Sequence, residues 1–195
     1  MELVTERLSV RLGEKDDSER IAAFFRDNDD FVARAQNRAR PELKDASTLA
    51  DVLEARLADH LADRSCCTFV FDRTSGEVVG TANLTQIVRG YFQACYLGYA
   101  VAERWQGRGM MTEALGALMG HAFEVMKLHR VMANHTPDNL RSARLLERLG
   151  FEREGLAKHY LEIDGVWRDH VLTALSAERF REIEPPLRDT GDARR

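Results

Sequence analysis

Cysteine is scarce in this 195-residue chain: Cys66, Cys67 and Cys95 are all it has. None of these pairs has the Cys-x-x-Cys spacing of a zinc or redox motif, and the histidine spacing suggests no metal either. The three thiols read as small apolar side chains in a reducing compartment, not as a disulfide framework. Long apolar runs are also missing. None approaches the ~20 residues of a membrane helix. Met1–Arg11 lacks the apolar stretch of a secretory signal. Basic excess is missing too: 28 Lys and Arg stand against 32 Asp and Glu, a formal net charge of -4. A general nucleic-acid binder would carry a basic field. Direct nucleic-acid and membrane contact are therefore not expected. The chain reads as soluble and cytoplasmic, and its charge suits a partner that is itself basic.

What is present points to one ordinary domain. Hydrophobic residues make up 44%, enough for a real core. We expect residues 1–183 to form that domain. Residues 184–195, with Pro185-Pro186 near their start, read as a flexible tail. Leu8–Leu12 alternates as a strand. Asp16 and Asp17 can cap a helix to about Arg26. Ser47 can cap a second, whose apolar face is Leu49, Val52, Leu53, Leu57 and Leu61. Cys67–Asp72, Val78–Ile87 and Gln93–Val101 then read as strands with short connections, hence antiparallel. A periodic helix follows over Met110–Met126, with Ala114, Leu115, Leu118, Met119, Ala122, Phe123 and Met126 apolar. Val131–Asn134 reads as a short buried strand and Asn139–Leu149 as a helix with Gly150 at its C-cap. Strands near Glu152–Ile163 and Val166–Ala174 are joined by Asp164-Gly165, a hairpin signal. The strand–helix–strand unit from Gln93 to Asn134 sits inside an otherwise antiparallel sheet. The expected class is α+β: a mixed, mostly antiparallel sheet of about seven strands flanked by about four helices.

The most informative segment is Trp105-Gln106-Gly107-Arg108-Gly109-Met110-Met111-Thr112, between a strand and a helix. Glycine lets backbone approach a ligand closely. The first amides of a helix lack intrahelical partners and face the positive end of its dipole. Such a loop can hold phosphate oxygens, with Arg108 and Arg104 able to add charge-assisted bonds. An ordinary strand-to-helix turn would have the same outline. No Lys-Ser or Lys-Thr closes it as a P-loop, and the Gly-x-Gly-x-x-Gly spacing of a dinucleotide fold is absent. The ligand sought is a different pyrophosphate carrier.

These residues resemble the GNAT superfamily of N-acetyltransferases. The strand Cys95–Val101, the loop Gln106-Gly107-Arg108-Gly109 and the next helix are similar to its motif A. In that family the backbone amides hold the pyrophosphate of coenzyme A. Gln106 and Gly109 match, while Met111 stands where Gly or Ala is usual. A register starting at Arg104 also fits the letters, but it shifts the loop against the helix start. Asn139-Leu140-Arg141-Ser142, followed by Leu145-Leu146 and Leu149-Gly150-Phe151, is similar to motif B, whose Asn contacts the pantetheine arm. The likeness extends from Thr5-Glu6-Arg7-Leu8 to Leu175. It narrows to the RimJ/RimL-type subgroup acting on the N-terminal alanine of ribosomal proteins. The resemblance implies acetyl-coenzyme A as cosubstrate, held by Leu97, Tyr99, Val101, Gln106, Gly107, Arg108, Gly109, Met110, Met111, Thr112, Asn134, Asn139 and Ser142. It implies a basic protein N-terminus as acceptor, in a small-subunit ribosomal protein, and leaves monomer and homodimer both open.

An N-terminal α-amine has a pKa of about 7.7–8.0, so a useful fraction is neutral in the cell. A weak base or a water chain would suffice. Many relatives carry a Tyr acid after the motif-B Asn; here that position is Leu146. Ser142 is the candidate acid, against a plain helix-start hydroxyl. Many relatives carry a Glu on the central strand where this chain has Tyr96. Glu103 is a possible replacement base, and Tyr96 or Tyr99 could relay through water. His135 and His159 fall near the expected cleft, with a surface position the default for each. Asp27, Asp29 and Asp30 could meet a basic tail. A small amine as acceptor, or a binder of coenzyme A or the ribosome without turnover, are the competing readings.

Overall fold

The computed structural model describes residues 1–28, 41–163 and 165–183. The sequence's strands all form: β2 (Leu8–Leu12), β3 (Cys66–Asp72), β4 (Val78–Val88), β5 (Ala94–Val101), β6 (Arg130–His135), β7 (Glu152–Ile163) and β8 (Val166–Ser176). A three-residue β1 (Glu2–Val4) adds to them. It is too short for alternation to reveal. The helices are α1 (Ser18–Asp27), α2 (Ala46–Leu61), α3 (Met110–Gly120), α4 (Leu140–Arg148) and α5 (Ala177–Glu182). Among the described residues this makes one eight-stranded sheet in the order β1-β2-β3-β4-β5-β6-β8-β7. Only β5 and β6 pair in parallel, and α3 crosses between them.

Three details depart from the sequence reading. The cap of α2 is Asp45, whose carboxylate accepts from the Ser47 N–H and hydroxyl. A charged acceptor two residues earlier reaches the first turn and makes Ser47 the donor. The second half of α2 does not pack as expected: Leu49 and Leu53 are buried, but Leu57 and Leu61 are exposed. The helix expected to run to Met126 widens into a π turn at His121–Val125, where the Met126 N–H reaches the His121 carbonyl (3.0 Å). The tail 184–195 and the acidic Asp29 and Asp30 lie outside the described residues.

Two apolar clusters sandwich the sheet. On one face Met110, Met111, Ala114, Leu115, Leu118 and Met119 of α3, with Leu145 and Leu146 of α4, pack on Cys95, Leu97, Val131 and Leu175. On the other, Ile21, Phe24 and Phe25 of α1 and Leu49 and Leu53 of α2 meet Phe69, Phe71 and Ala100. Burial pushes the Cys66 and Cys95 thiols up to about 12, so both stay protonated core side chains.

A buried carboxylate ties β2 to the start of α1. Asp17 takes two bonds from the Arg11 guanidinium (2.6 and 2.8 Å), one from the Glu14 N–H (2.8 Å) and an ion pair from Arg20 (2.6 Å). Arg11 in turn lies over the Phe71 ring, 4.1 Å from its centroid. Burial alone would raise the Asp17 carboxyl. The Arg11 and Glu14 bonds outweigh it and hold the group below the usual range. A carboxyl depressed in the fold stabilises it above about pH 3.9, and that contribution fades as pH falls through the folded value. Asp17→Asn should therefore cost about 2–3 kcal/mol at neutral pH. In urea titrations the gap between wild type and variant should narrow by about pH 3.

Candidate active site

β5 and β6 begin as neighbours and then part. Ala94, Cys95 and Tyr96 register with Arg130, Val131 and Met132, and there the pairing stops. β5 continues to Val101 against Gly80 of β4. β6 continues to His135 against Val171 of β8. Each strand is held by its outer antiparallel partner, so a wedge opens between residues 97–101 and 133–135. The backbone groups of β5 that face the wedge have no partner strand.

The Gln106 loop lies at the far end of β5, at the head of α3. Gly107 and Gly109 hold left-handed φ angles of 73° and 76°, and residues 107–109 are exposed. Gly109 is the N-cap, and the first helical bond is Glu113 N–H to the Gly109 carbonyl (3.1 Å). Among the described residues, nothing accepts from the backbone N–H groups of residues 107–112. Six consecutive donors are thus presented at one helix start. The side chains of Met110 and Met111 are buried and leave that surface clear. The missing small residue at 111 is offset across the sheet. A Cβ at Gly80 would lie 3.0 Å from Met111 Cε, so Gly80 makes room for the larger side chain.

Around the loop, the Arg108 guanidinium stacks over Trp105 (5.1 Å) and Arg104 pairs with Glu77 (3.1 Å). Arg141, at the start of α4, donates to Gln106 Oε1 and so joins the two motifs. Gln106 Nε2 and Trp105 Nε1 are buried donors with no acceptor among the described residues.

Two polar groupings flank the wedge. On the α3 side, Tyr99 and Ser142 share a hydrogen bond of 2.7 Å. Burial pushes Tyr99 up to about 12, partly offset by that bond. Asn139 caps α4, its Oδ1 accepting from the Ser142 N–H (3.1 Å). On the other side, Tyr96 and Tyr160 hydroxyls lie 3.3 Å apart, and Asn134 Nδ2 donates to Tyr160 (3.4 Å). The bond with Tyr96, then burial, raises Tyr160 above the usual phenol value. Tyr160 is carried by an irregularity in the β7–β8 register between Ala157 and Leu161, where His159 takes a φ of 49°. Bulges of this kind re-aim side chains. Gly98 lies between these groupings on β5 and opposite Asn83, and a Cβ there would meet nothing within 4 Å.

The structure brings together Tyr96, Tyr99, Asn134, Asn139 and Ser142 around the wedge, and Gln106–Thr112 at its mouth. Leu97 is a core side chain and Val101 is half-buried, so each offers only backbone to the opening. Glu103 stays apart. It is exposed on a 3-10 turn (Glu103–Trp105), with its N–H on Asn28 (3.3 Å). About 17 Å of strand separates Tyr96 from Val101 alone. His159 is exposed as expected, whereas His135 is buried, its Nδ1 2.9 Å from the Thr136 carbonyl. Tyr160, Arg7 and Glu113 had no signal in the local sequence pattern.

Comparison with known proteins decides the family. The acetyltransferase (GNAT) domain model matches residues 7–152. The chain belongs to the GNAT acetyltransferases. Within the family it is 43% identical over 178 residues to the [ribosomal protein uS5]-alanine N-acetyltransferase of Escherichia coli (strain K12), spanning 89% of this chain and 90% of that enzyme. The ribosomal-protein-S5-alanine acetyltransferase of Vibrio fischeri superposes with a TM-score of 0.87 at 30% identity, covering 92% of this chain and 98% of that one. Mycobacterium smegmatis RimJ, solved in complex with CoA-disulfide, gives 0.83 at 26% identity, with 95% and 88% covered. The described helices include none long and apolar enough to cross a membrane.

The two glycine types in this site should respond differently to alanine. An added Cβ meets nothing within 4 Å at Gly107 and only Arg7 Nη2 at an ordinary 3.5 Å at Gly109, so the left-handed φ is the main penalty, about 1 kcal/mol each. At Gly80 it would fall 2.2 Å from the Ala100 carbonyl oxygen. Gly80→Ala should cost about 2–3 kcal/mol in chemical denaturation, and shortening Met111 should not restore it, because the worst contact is backbone.

Proposed function

We propose that this protein is an N-α-acetyltransferase that moves the acetyl group of acetyl-coenzyme A onto the N-terminal alanine of a small-subunit ribosomal protein. The observation that carries the reading is the pairing of six unpartnered amides at the head of α3 with the wedge between β5 and β6. The acceptor follows from the likeness to the E. coli enzyme. We place the reaction in a single domain, residues 1–183, working in the cytoplasm as a monomer or homodimer.

The residues present fit coenzyme A. Amides 107–112 offer neutral, directed donors for a diphosphate, and Arg108 adds charge beside them. Leu97, Tyr99 and Val101 contribute backbone along β5 for the pantetheine arm, with Asn134 and Asn139 at its borders. When bound, acetyl-coenzyme A supplies an activated acyl group as a thioester. The free N–H groups of β5 beyond Tyr96 are placed to hold its carbonyl oxygen.

Tyr99 and Ser142 act as one unit. Tyr99 keeps its proton at any cellular pH. With the Tyr99 O–H donating to Ser142 Oγ, the serine proton is left free to point into the wedge and serve as the acid. On the opposite side Tyr96, Tyr160 and Asn134 form a polar trough for the amine, floored by Gly98. An α-amine that is partly neutral needs only a hydrogen-bonded relay there. The exposed Glu103 is too far along the chain to serve, and the base role passes to Tyr96 with Tyr160.

The test is acetylation of synthetic N-terminal peptides, read by mass spectrometry. A peptide beginning with alanine and followed by basic residues should gain one acetyl group on its α-amine, while spermidine and aminoglycosides should not. Acetylation confined to the small amines, or coenzyme binding without turnover, would overturn the assignment. Ser142→Ala should lower kcat about 10²-fold with little change in acetyl-coenzyme A KM; full activity would remove Ser142 from the chemistry.

A further inference from the structure

Glu113 lies in the first turn of α3, is almost fully buried, and faces the turn that joins β1 to β2. Its Oε1 accepts from the Thr5 hydroxyl (2.6 Å) and the Arg7 N–H (2.9 Å). Its Oε2 accepts from Arg7 Nε (2.7 Å) and is ion-paired with Nη2 of the same guanidinium (2.6 Å). The remaining arm of the same guanidinium, Nη1, donates to the Arg108 carbonyl (2.9 Å). The turn is itself anchored. Arg73 donates through Nη1 to the Thr5 carbonyl (2.7 Å) and the Glu6 carbonyl (3.0 Å), and its N–H donates to the Arg7 carbonyl (2.9 Å).

The consequence lies in the peptide plane between Arg108 and Gly109. A trans peptide is planar, with its C=O and N–H pointing in opposite directions. Gripping the Arg108 oxygen from the body of the protein turns the Gly109 N–H outward. The next carbonyl, Gly109, is fixed by the Glu113 N–H. Two glycines in left-handed conformations would otherwise leave this plane free to flip, since glycine has little preference among backbone wells. Glu113 is also a negative charge one turn from an anion site, and Arg7 neutralises it.

We propose that Arg7 and Glu113 are positioning residues that lock the Gln106–Thr112 loop with its amides outward, and so set the affinity for the diphosphate of the acyl donor. The proposal rests on the reading that this loop holds that diphosphate. Neither residue touches the reacting atoms. Their effect should therefore be confined to donors that carry the diphosphate.

The experiment compares two donors, acetyl-coenzyme A and S-acetylpantetheine, which keeps the thioester and arm but has no diphosphate. Initial rates are measured with one alanine-starting peptide for wild type, Arg7→Gln and Arg7→Lys. Arg7→Lys keeps a charge beside Glu113 but lacks the second arm for the Arg108 oxygen, and it gives the same readout if Arg7→Gln does not fold. For the variants, acetyl-coenzyme A KM should rise about tenfold, with kcat and peptide KM within about threefold, as expected for losing one charge-assisted bond. Their kcat/KM on S-acetylpantetheine should match wild type. A donor preference unchanged from wild type, whether both donors suffer equally or neither does, overturns the positioning role. A wild-type enzyme with no preference between the donors instead overturns the diphosphate reading of the loop.

Discussion

The site exists because two strands that start as neighbours are each bound more extensively to someone else. β5 is held by β4 as far as Val101, and β6 by β8 as far as His135, while they share only three register pairs, ending at Tyr96 and Met132. Sheets twist, and antiparallel ladders are slightly the stronger pairing. When the parallel pair yields, the sheet gains an interior edge. That edge costs backbone hydrogen bonds in an otherwise closed ladder, and a ligand able to supply them is the natural compensation. Two polar groupings border this opening: Tyr99 with Ser142 on one side, Tyr96 with Tyr160 and Asn134 on the other.

The first strands work as a bracket for both faces of the sheet. Arg11 on β2 binds Asp17 at the entrance to α1, and Arg7 just before β2 binds Glu113 at the entrance to α3. In both cases a buried carboxylate sits at a helix start, where the dipole favours it, and is paired with a guanidinium: Arg11 spans both Asp17 oxygens, Arg7 meets Oε2 of Glu113. Glu113 follows the same logic as Asp17. Burial would raise it, and the Thr5 and Arg7 bonds bring it below its usual value. One pair fastens α1 and the other the start of α3, so a short N-terminal segment is tied to helices on both faces of the sheet.

Periodicity carried most of the fold because the central strands are covered on both faces by helices with apolar stripes. What escaped has identifiable causes. β1 has three residues, too few for a pattern. The π turn depends on a Met126 bond five residues back, which propensity does not encode. Leu57 and Leu61 continue the apolar stripe of α2 past the point where the sheet can cover it. At the site, Gly107 and Gly109 were legible because left-handed backbone demands glycine. Asn139 and Ser142 were legible because a helix start demands a cap. Tyr160 was not: strict alternation would place it elsewhere, and only the irregular register with His159 at positive φ turns it inward. Arg7 and Glu113 are 106 residues apart, and Tyr99 and Ser142 are 43 apart; such pairs become visible only once the topology is known.

Net charge looks at first like an obstacle, since a chain of -4 is proposed to hold a polyanion and to attract a cationic peptide. The two demands are met by different means at different ends of β5. At the loop, the attraction is short-ranged: aligned amides and a helix start act over a single turn, so the distant acidic surface, screened within about 8–10 Å, does not cancel them. Two of the nearby carboxylates are already engaged, Glu113 by Arg7 and Glu77 by Arg104. For the acceptor, the relevant field is the long-range one that steers a basic chain toward the protein before contact. The proposed trough is lined by phenol and amide groups, where a carboxylate at the same point would hold the amine as an ammonium. A Glu in place of Tyr96 would deprotonate the amine more strongly but also bind its charged form more tightly. The phenol fits an acceptor whose α-amine is partly neutral from the outset.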